Sequence, residues 1–232
     1  LRRKVGMLRS AYECPNLDYD HELSLLHEEF IAGTPFRRVP LAFQDACLSG
    51  LTRRVAGAHR GALTAPDRAA WLDASRRLLA EVLPNESEQL SARVAAIVSD
   101  APTGWIHGDL AGENIILRGT EAVVIDFDRV MLGPLFFDPL HLLLIEASLG
   151  NPAQLRAFFR GAYDDALATV SLPARGNADR SALCVAAVGW KLSRAMTSWE
   201  PACELLSHTL AEGIALQQEG AAAPVAVQFG TT

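Results

Sequence analysis

Long hydrophobic runs are absent from this chain of 232 residues. The most apolar stretch covers residues 139–145 and lies between Asp138 and Glu146. A helix that crosses a bilayer needs about 20 apolar residues, so this stretch is far too short to form one. No secretory signal pattern is visible either. We therefore expect a protein without a membrane-spanning segment.

Paired cysteine motifs are also missing. The four cysteines, Cys14, Cys47, Cys184 and Cys203, form no C-x-x-C pair and have no zinc-like spacing with histidine. Three of them lie in apolar helical contexts, where a cysteine is most simply a buried thiol. Thiols persist in a reducing compartment, so we expect a cytoplasmic protein.

Basic charge is scarce. The chain has 21 Lys and Arg residues against 27 Asp and Glu residues, which gives a formal net charge of -6. It has no basic stripe, which argues against nucleic acid as the main partner. With 50% hydrophobic residues, the chain can form a packed core, either as one large domain or as two small lobes.

The chemistry is concentrated in the stretch WIHGDLAGENIILRGTEAVVIDFD, which begins at Trp105. Gly108 allows a sharp bend after the short apolar strand at 105–106. Residues 115–117 and 122–125 are two buried-strand patterns joined by a polar turn, which predicts a hairpin. A hairpin returns the chain, so we expect Asp126 to lie beside Asn114 and Asp109. Oxygen groups of this kind suit Mg²⁺ better than a soft metal.

The motifs of this stretch resemble those of the aminoglycoside phosphotransferase and choline kinase family, small-molecule kinases with a protein-kinase-like fold. Protein kinases carry His-Arg-Asp, an Asn five residues after the Asp, and then Asp-Phe-Gly. This chain has His107-Gly108-Asp109, Asn114 and Asp126-Phe127-Asp128. Further on, Gly133-Pro134 and Asp138-Pro139 are similar to the family's Gly-x-x-x-x-Asp segment, in which we expect Asp138 to be structural.

The resemblance implies a phosphotransferase that moves the γ-phosphoryl group of ATP, or of GTP, to a hydroxyl group of a small molecule. Asp109 would be the catalytic base that orients this hydroxyl group, and Asn114 and Asp126 would bind Mg²⁺. His107 would support the loop by packing and hydrogen bonding. For Asp128 three roles stay open: help with the metal, contact with a cationic substrate, or a solvated charge.

Two more regions acquire expected roles through the same resemblance. Residues 28–36 look like the hinge between the lobes, so Glu28, Glu29 and Phe30 would bracket the nucleotide base through their backbone groups. Asp164, Asp165, Glu200 and Glu204 would lie on the carboxy-terminal helices, where the family builds its acceptor pocket. An amine-rich acceptor would be attracted by carboxylates there. A solvated helix face explains these four carboxylates at least as well as a pocket does.

The implied fold is α+β and mainly α: a helical carboxy-terminal lobe with a catalytic hairpin and a remnant of the amino-terminal lobe. We expect this remnant and the hinge at 1–33, the helical lobe at 34–219, and a loose tail at 220–232. The catalytic loop would cover 107–114 and the metal segment 126–128. No Gly-rich loop precedes the hinge, and Lys4 is the only lysine before it. We therefore expect the family's phosphate-binding lobe to be largely missing from this stretch of chain.

The apolar periodicity predicts a strand that leads into the hinge and at least seven helices. Thr64 is expected to begin the second helix with Pro66 in its first turn, and Asp138 to cap the fourth. The strand is expected at 22–26, and the helices at 40–60, 64–82, 87–98, from 139 onward, 151–163, 181–199 and 201–218.

Two other functions compete with the kinase. A catalytically inactive kinase-like module would bind or regulate a partner, and the missing lobe favours this alternative, whereas the intact Asp109, Asn114 and Asp126 oppose it. A Mg²⁺-dependent hydrolase could use the same acidic groups on water, but the hinge-like segment would then be accidental. The motif fits many acceptors, so it does not choose among them.

Overall fold

The computed structural model describes residues 6, 8, 9, 11–20, 25–84, 87–171 and 176–222. Eight α-helices and seven short strands are formed within these ranges. The helices are α1 (Leu41–Val55), α2 (Ala65–Val82), α3 (Ser87–Asp100), α4 (Phe137–Ser148), α5 (Ala153–Phe159), α6 (Asp164–Leu167), α7 (Asn177–Ser193) and α8 (Trp199–Ala222). The strands are β1 (Leu17–Asp20), β2 (Leu25–Glu28), β3 (Thr34–Pro35), β4 (Thr103–Ile106), β5 (Ile115–Arg118), β6 (Glu121–Val124) and β7 (Met131–Pro134).

The hairpin predicted at 115–125 is confirmed. Strands β5 and β6 pair antiparallel, with Ile115 opposite Val124 and Arg118 opposite Glu121. The turn between them uses Gly119 at φ 66, a left-handed conformation that glycine adopts without strain. Strand β3 adds to the other edge of β5, so the segment after the hinge is hydrogen-bonded directly to the hairpin.

The other strands form two separate pairs. Strand β4, which leads into the catalytic loop, pairs antiparallel with β7, and Trp105 lies opposite Leu132. Strands β1 and β2 form a hairpin in which Leu17 lies opposite Glu28. The strand predicted at 22–26 thus lies at Leu25–Glu28 in the structure, and residues 21–24 lie outside the described ranges.

The start of helix α2 is the one the sequence predicts. The hydroxyl group of Thr64 accepts a hydrogen bond from the backbone N–H of Asp67. The carboxylate of Asp67 in turn accepts one from the backbone N–H of Thr64. This reciprocal capping box, with Pro66 in the first turn, satisfies two N–H groups that a helix start leaves unpaired.

The predicted ends of two helices are wrong, because a residue with a left-handed backbone conformation follows each observed helix end. The helix expected at 151–163 stops at Phe159, and Gly161 has φ 87. The helix expected at 181–199 occupies Asn177–Ser193, and Ala195 follows it at φ 54. The apolar pattern near Trp199 therefore belongs to α8, which begins there and extends to Ala222, into the tail expected at 220–232. Residues 223–232 lie outside the described ranges.

The core is formed mainly by the packing of α2, α3, α7 and α8. Trp71 on α2 meets Trp190 on α7 edge to face, with ring centroids 5.5 Å apart. The indole N–H of Trp71 donates to the carbonyl of Ala186 at 2.7 Å. Helix α4 is buried on nearly every side, and its buried residues include Leu140, Leu142 and Leu143. In the described part of the chain, no helix is both long and apolar enough to cross a membrane.

Candidate active site

The catalytic loop bends at Gly108, directly after strand β4. Gly108 has φ 85, and a Cβ atom there would lie 2.4 Å from the backbone oxygen of Arg129. Only glycine fits this combination of conformation and close approach without a shift of the backbone. The bend turns Asp109 away from the line of the strand, so its side chain is 47% exposed while His107 and Gly108 are buried.

The loop is held from below by Asp138. This fully buried carboxylate accepts hydrogen bonds from the backbone N–H of His107 at 2.7 Å and of Gly108 at 2.9 Å. It also accepts a hydrogen bond from the hydroxyl group of Tyr12 at 2.7 Å. Asp138 was expected to cap a helix that starts at Pro139, but α4 already begins at Phe137 and the carboxylate points to the loop instead. Burial and this carboxylate raise the pKa of Tyr12 well above its ordinary value.

His107 contacts the metal segment from within the core. Its Nε2 lies 2.9 Å from the backbone oxygen of Ile125, and its Nδ1 accepts the backbone N–H of Asp109 at 3.3 Å. The carbonyl can only accept, so Nε2 carries the proton. The ring packs edge to face against Phe127 at 5.2 Å. These contacts are those of a supporting residue, because no part of the buried ring reaches the surface where a substrate could meet it.

The structure brings Asn114 close to both acidic segments. Its side-chain N–H₂ donates to the backbone oxygen of Asp109 at 2.9 Å. Its backbone oxygen accepts the N–H of Ile125 at 3.0 Å, which places Asp126 directly beyond it. Asp126 is exposed and has φ 62, a conformation that a non-glycine residue adopts only when its surroundings hold it there.

The donor set at this edge fits a magnesium ion. The amide oxygen of Asn114 and the carboxylate of Asp126 are hard oxygen ligands, and Mg²⁺ is commonly bound by one or two such groups together with phosphates and water. Among the described residues no group of three or more His, Cys, Asp and Glu side chains could hold a metal by itself. Asp128 is exposed beyond the buried Phe127, and its three possible roles stay open.

A cavity of about 420 Å³ separates the hinge from the metal segment. Glu29, Phe30 and Ile31 line one part of it, and Ile116, Ile125 and Asp126 line the rest. The hinge is fixed by Asn16, whose side chain donates to Glu29 Oε2 at 2.7 Å and whose backbone oxygen accepts the N–H of Glu29 at 2.9 Å. Glu28 is the last residue of β2.

Two further side chains of α4 hold the loop, and sequence reasoning missed both. His141 Nδ1 lies 3.1 Å from the backbone oxygen of Leu110. Glu146 Oε1 accepts the backbone N–H of Gly112 at 3.1 Å, and the same buried carboxylate binds Arg37 Nε at 2.9 Å. The available signal was that these polar residues interrupt the most apolar helix of the chain, where a polar side chain needs a partner.

Lys191 on α7 approaches the site through His141. Its Nζ lies 2.9 Å from His141 Nε2, which is 3.7 Å from a carboxylate oxygen of Asp109. Burial first, and then the nearby Lys191 charge, lower the pKa of His141 to about 3. Burial lowers the pKa of Lys191, while the Asp109 charge acts in the opposite direction.

A second cavity, of about 360 Å³, lies between α4, α7 and the start of α8. Lys191, Glu204 and His208 supply its charged and ionisable walls. Of the four carboxylates expected in the acceptor pocket, Glu204 lines this cavity; the other three are not among its described lining residues. Instead, Asp164 forms an ion pair with Arg180 at 2.5 Å, while Asp165 and Glu200 are exposed.

Comparisons with known proteins show the family to which this chain belongs. The model of the phosphotransferase enzyme family matches residues 32–177, which is more than half of the chain. The chain belongs to this family. No curated protein sequence matches this phosphotransferase significantly.

Two solved structures resemble the phosphotransferase. One is a thermostable mutant of aminoglycoside phosphotransferase APH(4)-Ia in ternary complex with ADP and hygromycin B; it is 15% identical, with a TM-score of 0.50 over 91% of this chain and 81% of that chain. The other is a glucosamine kinase, 16% identical, with a TM-score of 0.50 over 93% of this chain and 70% of that chain. At such identities the likeness shows the fold alone, and it confirms the predicted mainly helical, protein-kinase-like architecture.

Loss of the Asp138 carboxylate should destabilise the phosphotransferase strongly. In Asp138→Asn the new amide N–H₂ would face backbone N–H donors, so at least one buried donor loses its acceptor. We expect the free energy of unfolding to fall by about 2–3 kcal/mol, and by about 1–2 kcal/mol in Tyr12→Phe. Urea denaturation measures both. Asp165→Asn, at an exposed aspartate, is the control, and equal losses in Asp138→Asn and the control would contradict the clamp.

His141 should make the phosphotransferase sensitive to acid. The unfolded chain protonates this histidine near its ordinary pKa of 6.5, whereas the folded protein does so only near 3. The unfolded state therefore binds more protons, and the free energy of unfolding falls as the pH drops below 6.5. We expect a shallower fall in His141→Gln. Denaturant unfolding at several pH values tests this, with exposed His59→Gln as control; parallel curves for wild type and His141→Gln would refute it.

Proposed function

We propose that this phosphotransferase moves the γ-phosphoryl group of ATP, with GTP as an alternative donor, onto a hydroxyl group of a small molecule, and that it requires Mg²⁺. The observation that carries this proposal is the meeting of Asp109, Asn114 and Asp126 at one edge of the catalytic hairpin. Backbone and side-chain hydrogen bonds of Asn114 join the segments of all three.

The cavity between the hinge and the hairpin supports a nucleotide as the donor. Ile116 and Ile125 offer apolar walls to a flat base, and the backbone of residues 29–31 offers hydrogen-bonding groups at the opposite wall. Asp126 lies in the same cavity, so phosphates attached to a base bound there would reach the metal segment. The relative solved with ADP and hygromycin B supports both a nucleotide and a small hydroxylated partner.

Asn114 and Asp126 would hold the magnesium ion. When bound, the ion supplies positive charge that neutralises the phosphate oxygens. The left-handed conformation of Asp126 and the Asn114–Asp109 hydrogen bond preset the positions of these groups before a nucleotide arrives. Preset groups spend little free energy on reorganisation during the reaction.

Asp109 would act as the base. The acceptor hydroxyl group donates its hydrogen bond to the half-exposed carboxylate, which orients the oxygen toward the γ-phosphorus atom and takes the proton. The bond from the acceptor oxygen to phosphorus forms while the bond from phosphorus to the bridging oxygen breaks, and ADP leaves. No covalent intermediate with the protein is needed.

The thiols of the chain support a cytoplasmic location, which we propose together with the activity. Cys184 is fully buried, and burial raises the pKa of the Cys47 thiol to about 12. Such thiols are stable and unreactive in a reducing compartment.

Removal of the Asp126 carboxylate should abolish nucleotide binding that depends on Mg²⁺. We expect calorimetric titration of Mg²⁺·ATP into the 232-residue chain to give a binding signal that is absent in Asp126→Ala. Asp100→Ala, an exposed aspartate at the end of α3, is the matched control and should bind like the wild type. Equal binding by Asp126→Ala would reject the metal site, and no binding by the wild type would reject the nucleotide site.

Replacement of the base should slow turnover without loss of the nucleotide. In Asp109→Asn the amide cannot take a proton, so we expect kcat to fall by on the order of 10²- to 10⁴-fold, with Mg²⁺·ATP affinity nearly unchanged. The assay is ADP formation with glycerate, glycerol, glucosamine, choline or hygromycin B as trial acceptors, and Asp165→Asn is the control. Turnover close to wild type in Asp109→Asn would remove Asp109 from the role of base.

A further inference from the structure

Lysine is rare in this chain, and one lysine lies at the site. Of the 21 Lys and Arg residues only Lys4 and Lys191 are lysines. Lys191 lies in the last turn of α7 and is half-buried. Lysine carries a compact point charge with three donors, whereas arginine carries a wide planar fork, so the two are not interchangeable in a confined site.

The position of Lys191 is fixed by the protonation of His141. The backbone oxygen of Leu110 can only accept, so His141 Nδ1, 3.1 Å away, carries the ring proton. Its Nε2 is then an acceptor, and the Lys191 ammonium 2.9 Å away is the donor. Burial keeps this imidazole neutral. The neutral His141 therefore accepts a hydrogen bond from Lys191 and donates one to the backbone of the catalytic loop, which links the two.

The same ammonium faces the proposed base. His141 Nε2 and a carboxylate oxygen of Asp109 lie 3.7 Å apart and both accept, so neither can satisfy the other. Lys191 is near enough for the Asp109 charge to act on it. One of its three N–H donors is used by His141, which leaves donors for Asp109 and for the space beyond.

That space is the second cavity. Its walls come from α4 through Ile145 and Ser148, from α7 through Lys191, and from α8 through Glu204 and His208. The volume of about 360 Å³ is in the range of small-molecule sites. Lys191 thus lines this cavity and is linked to the proposed base through His141.

We propose that Lys191 determines the acceptor specificity: the site takes a hydroxyl compound that carries a carboxylate or another electron-rich oxygen beside the reacting hydroxyl group, and rejects one that carries an ammonium group there. The proposal rests on the proposed phosphotransfer function and names the acceptor class for it. It differs from the expectation of an amine-rich acceptor bound by carboxylates.

The charges of the cavity favour this choice. Glu204 also lines the cavity, but it is exposed and water screens its charge. Lys191 is half-buried, so water screens its charge less than that of Glu204. Its hydrogen bond to His141 holds the side chain in place beside a bound acceptor. A cationic group beside the reacting hydroxyl group would meet this fixed charge, whereas an oxygen would accept a hydrogen bond from it.

The scarcity of lysine allows a direct test. Biosynthetic labelling with ¹³Cε-lysine leaves the ammonium groups unmodified and gives NMR signals for Lys191 and Lys4. Lys191→Arg identifies the Lys191 signal by its loss, and the Lys4 signal serves as the internal reference. The probes are the three-carbon compounds glycerate, glycerol and 3-amino-1,2-propanediol, titrated in the presence of Mg²⁺·ADP.

We expect glycerate to shift the Lys191 signal with the lowest apparent Kd and glycerol to bind more weakly. The amine should bind at least 10-fold more weakly than glycerate. A tenfold difference in Kd is modest for one direct charge contact. The proposal is overturned if the amine binds as tightly as glycerate. It is also overturned if none of the probes shifts the signal at concentrations up to about 100 mM, where even a very weak complex is populated.

Charge reversal provides the second arm. Lys191→Glu should invert the order of the apparent Kd values of the three probes, and Lys191→Met should make these Kd values nearly equal. In both variants the NMR signals of ¹³C-labelled methionine methyl groups report binding. Mg²⁺·ATP binding should survive in both variants, which also reports that they fold. An unchanged order in Lys191→Glu rejects Lys191 as the selecting residue. If the wild type does not bind Mg²⁺·ATP, the phosphotransfer function itself is rejected. Failure of the specificity proposal and failure of the proposed function are therefore distinguishable.

Discussion

The buried carboxylate of Asp138 is the contact on which the catalytic site depends. It accepts two backbone N–H groups of the catalytic loop and the hydroxyl group of Tyr12, all within 2.9 Å. A fully buried carboxylate is costly unless its oxygens are satisfied, so these donors and the acceptor stabilise one another. Without this clamp, the backbone N–H groups at the bend after β4 would be buried without an acceptor, and the geometry of Asp109 would be lost.

The clamp is one of three contacts that helix α4 makes with the loop. Asp138 holds the N–H groups at 107 and 108, His141 lies against the oxygen at 110, and Glu146 accepts the N–H at 112. One helix thus fixes several backbone positions of a loop whose regular structure is limited to the 3₁₀ turn at Gly112–Asn114. Glu146 also binds Arg37, and this ion pair connects the segment after the hinge to the same helix. The nucleotide side and the proposed base therefore share one support.

Local patterns in the sequence predicted much of the fold and part of the site. The β-branched run at 115–117, the polar turn and the run at 122–125 predicted the hairpin, and Gly108 predicted the bend. Thr64 and Pro66 predicted the start of α2, because the preferences at a helix start are local. The helix breaks were not predictable in the same way, since Ala195 carries a left-handed conformation that its side chain does not signal. His141 and Lys191 are 50 residues apart, and no periodicity relates them.

The sequence by itself determined the family and the catalytic motif, because the spacing of Asp109, Asn114 and Asp126 is set by one short loop and one hairpin. It also determined most helices, whose apolar faces follow a local period. Only the tertiary structure decided what surrounds the motif. Packing of α4 and α7 under the loop brings Asp138, His141 and Lys191 to it, and the path of the chain places Asp164 on α6 beside Arg180 on α7. The partner of a buried polar group is chosen by the path of the whole chain, and that choice leaves no mark in the neighbouring residues.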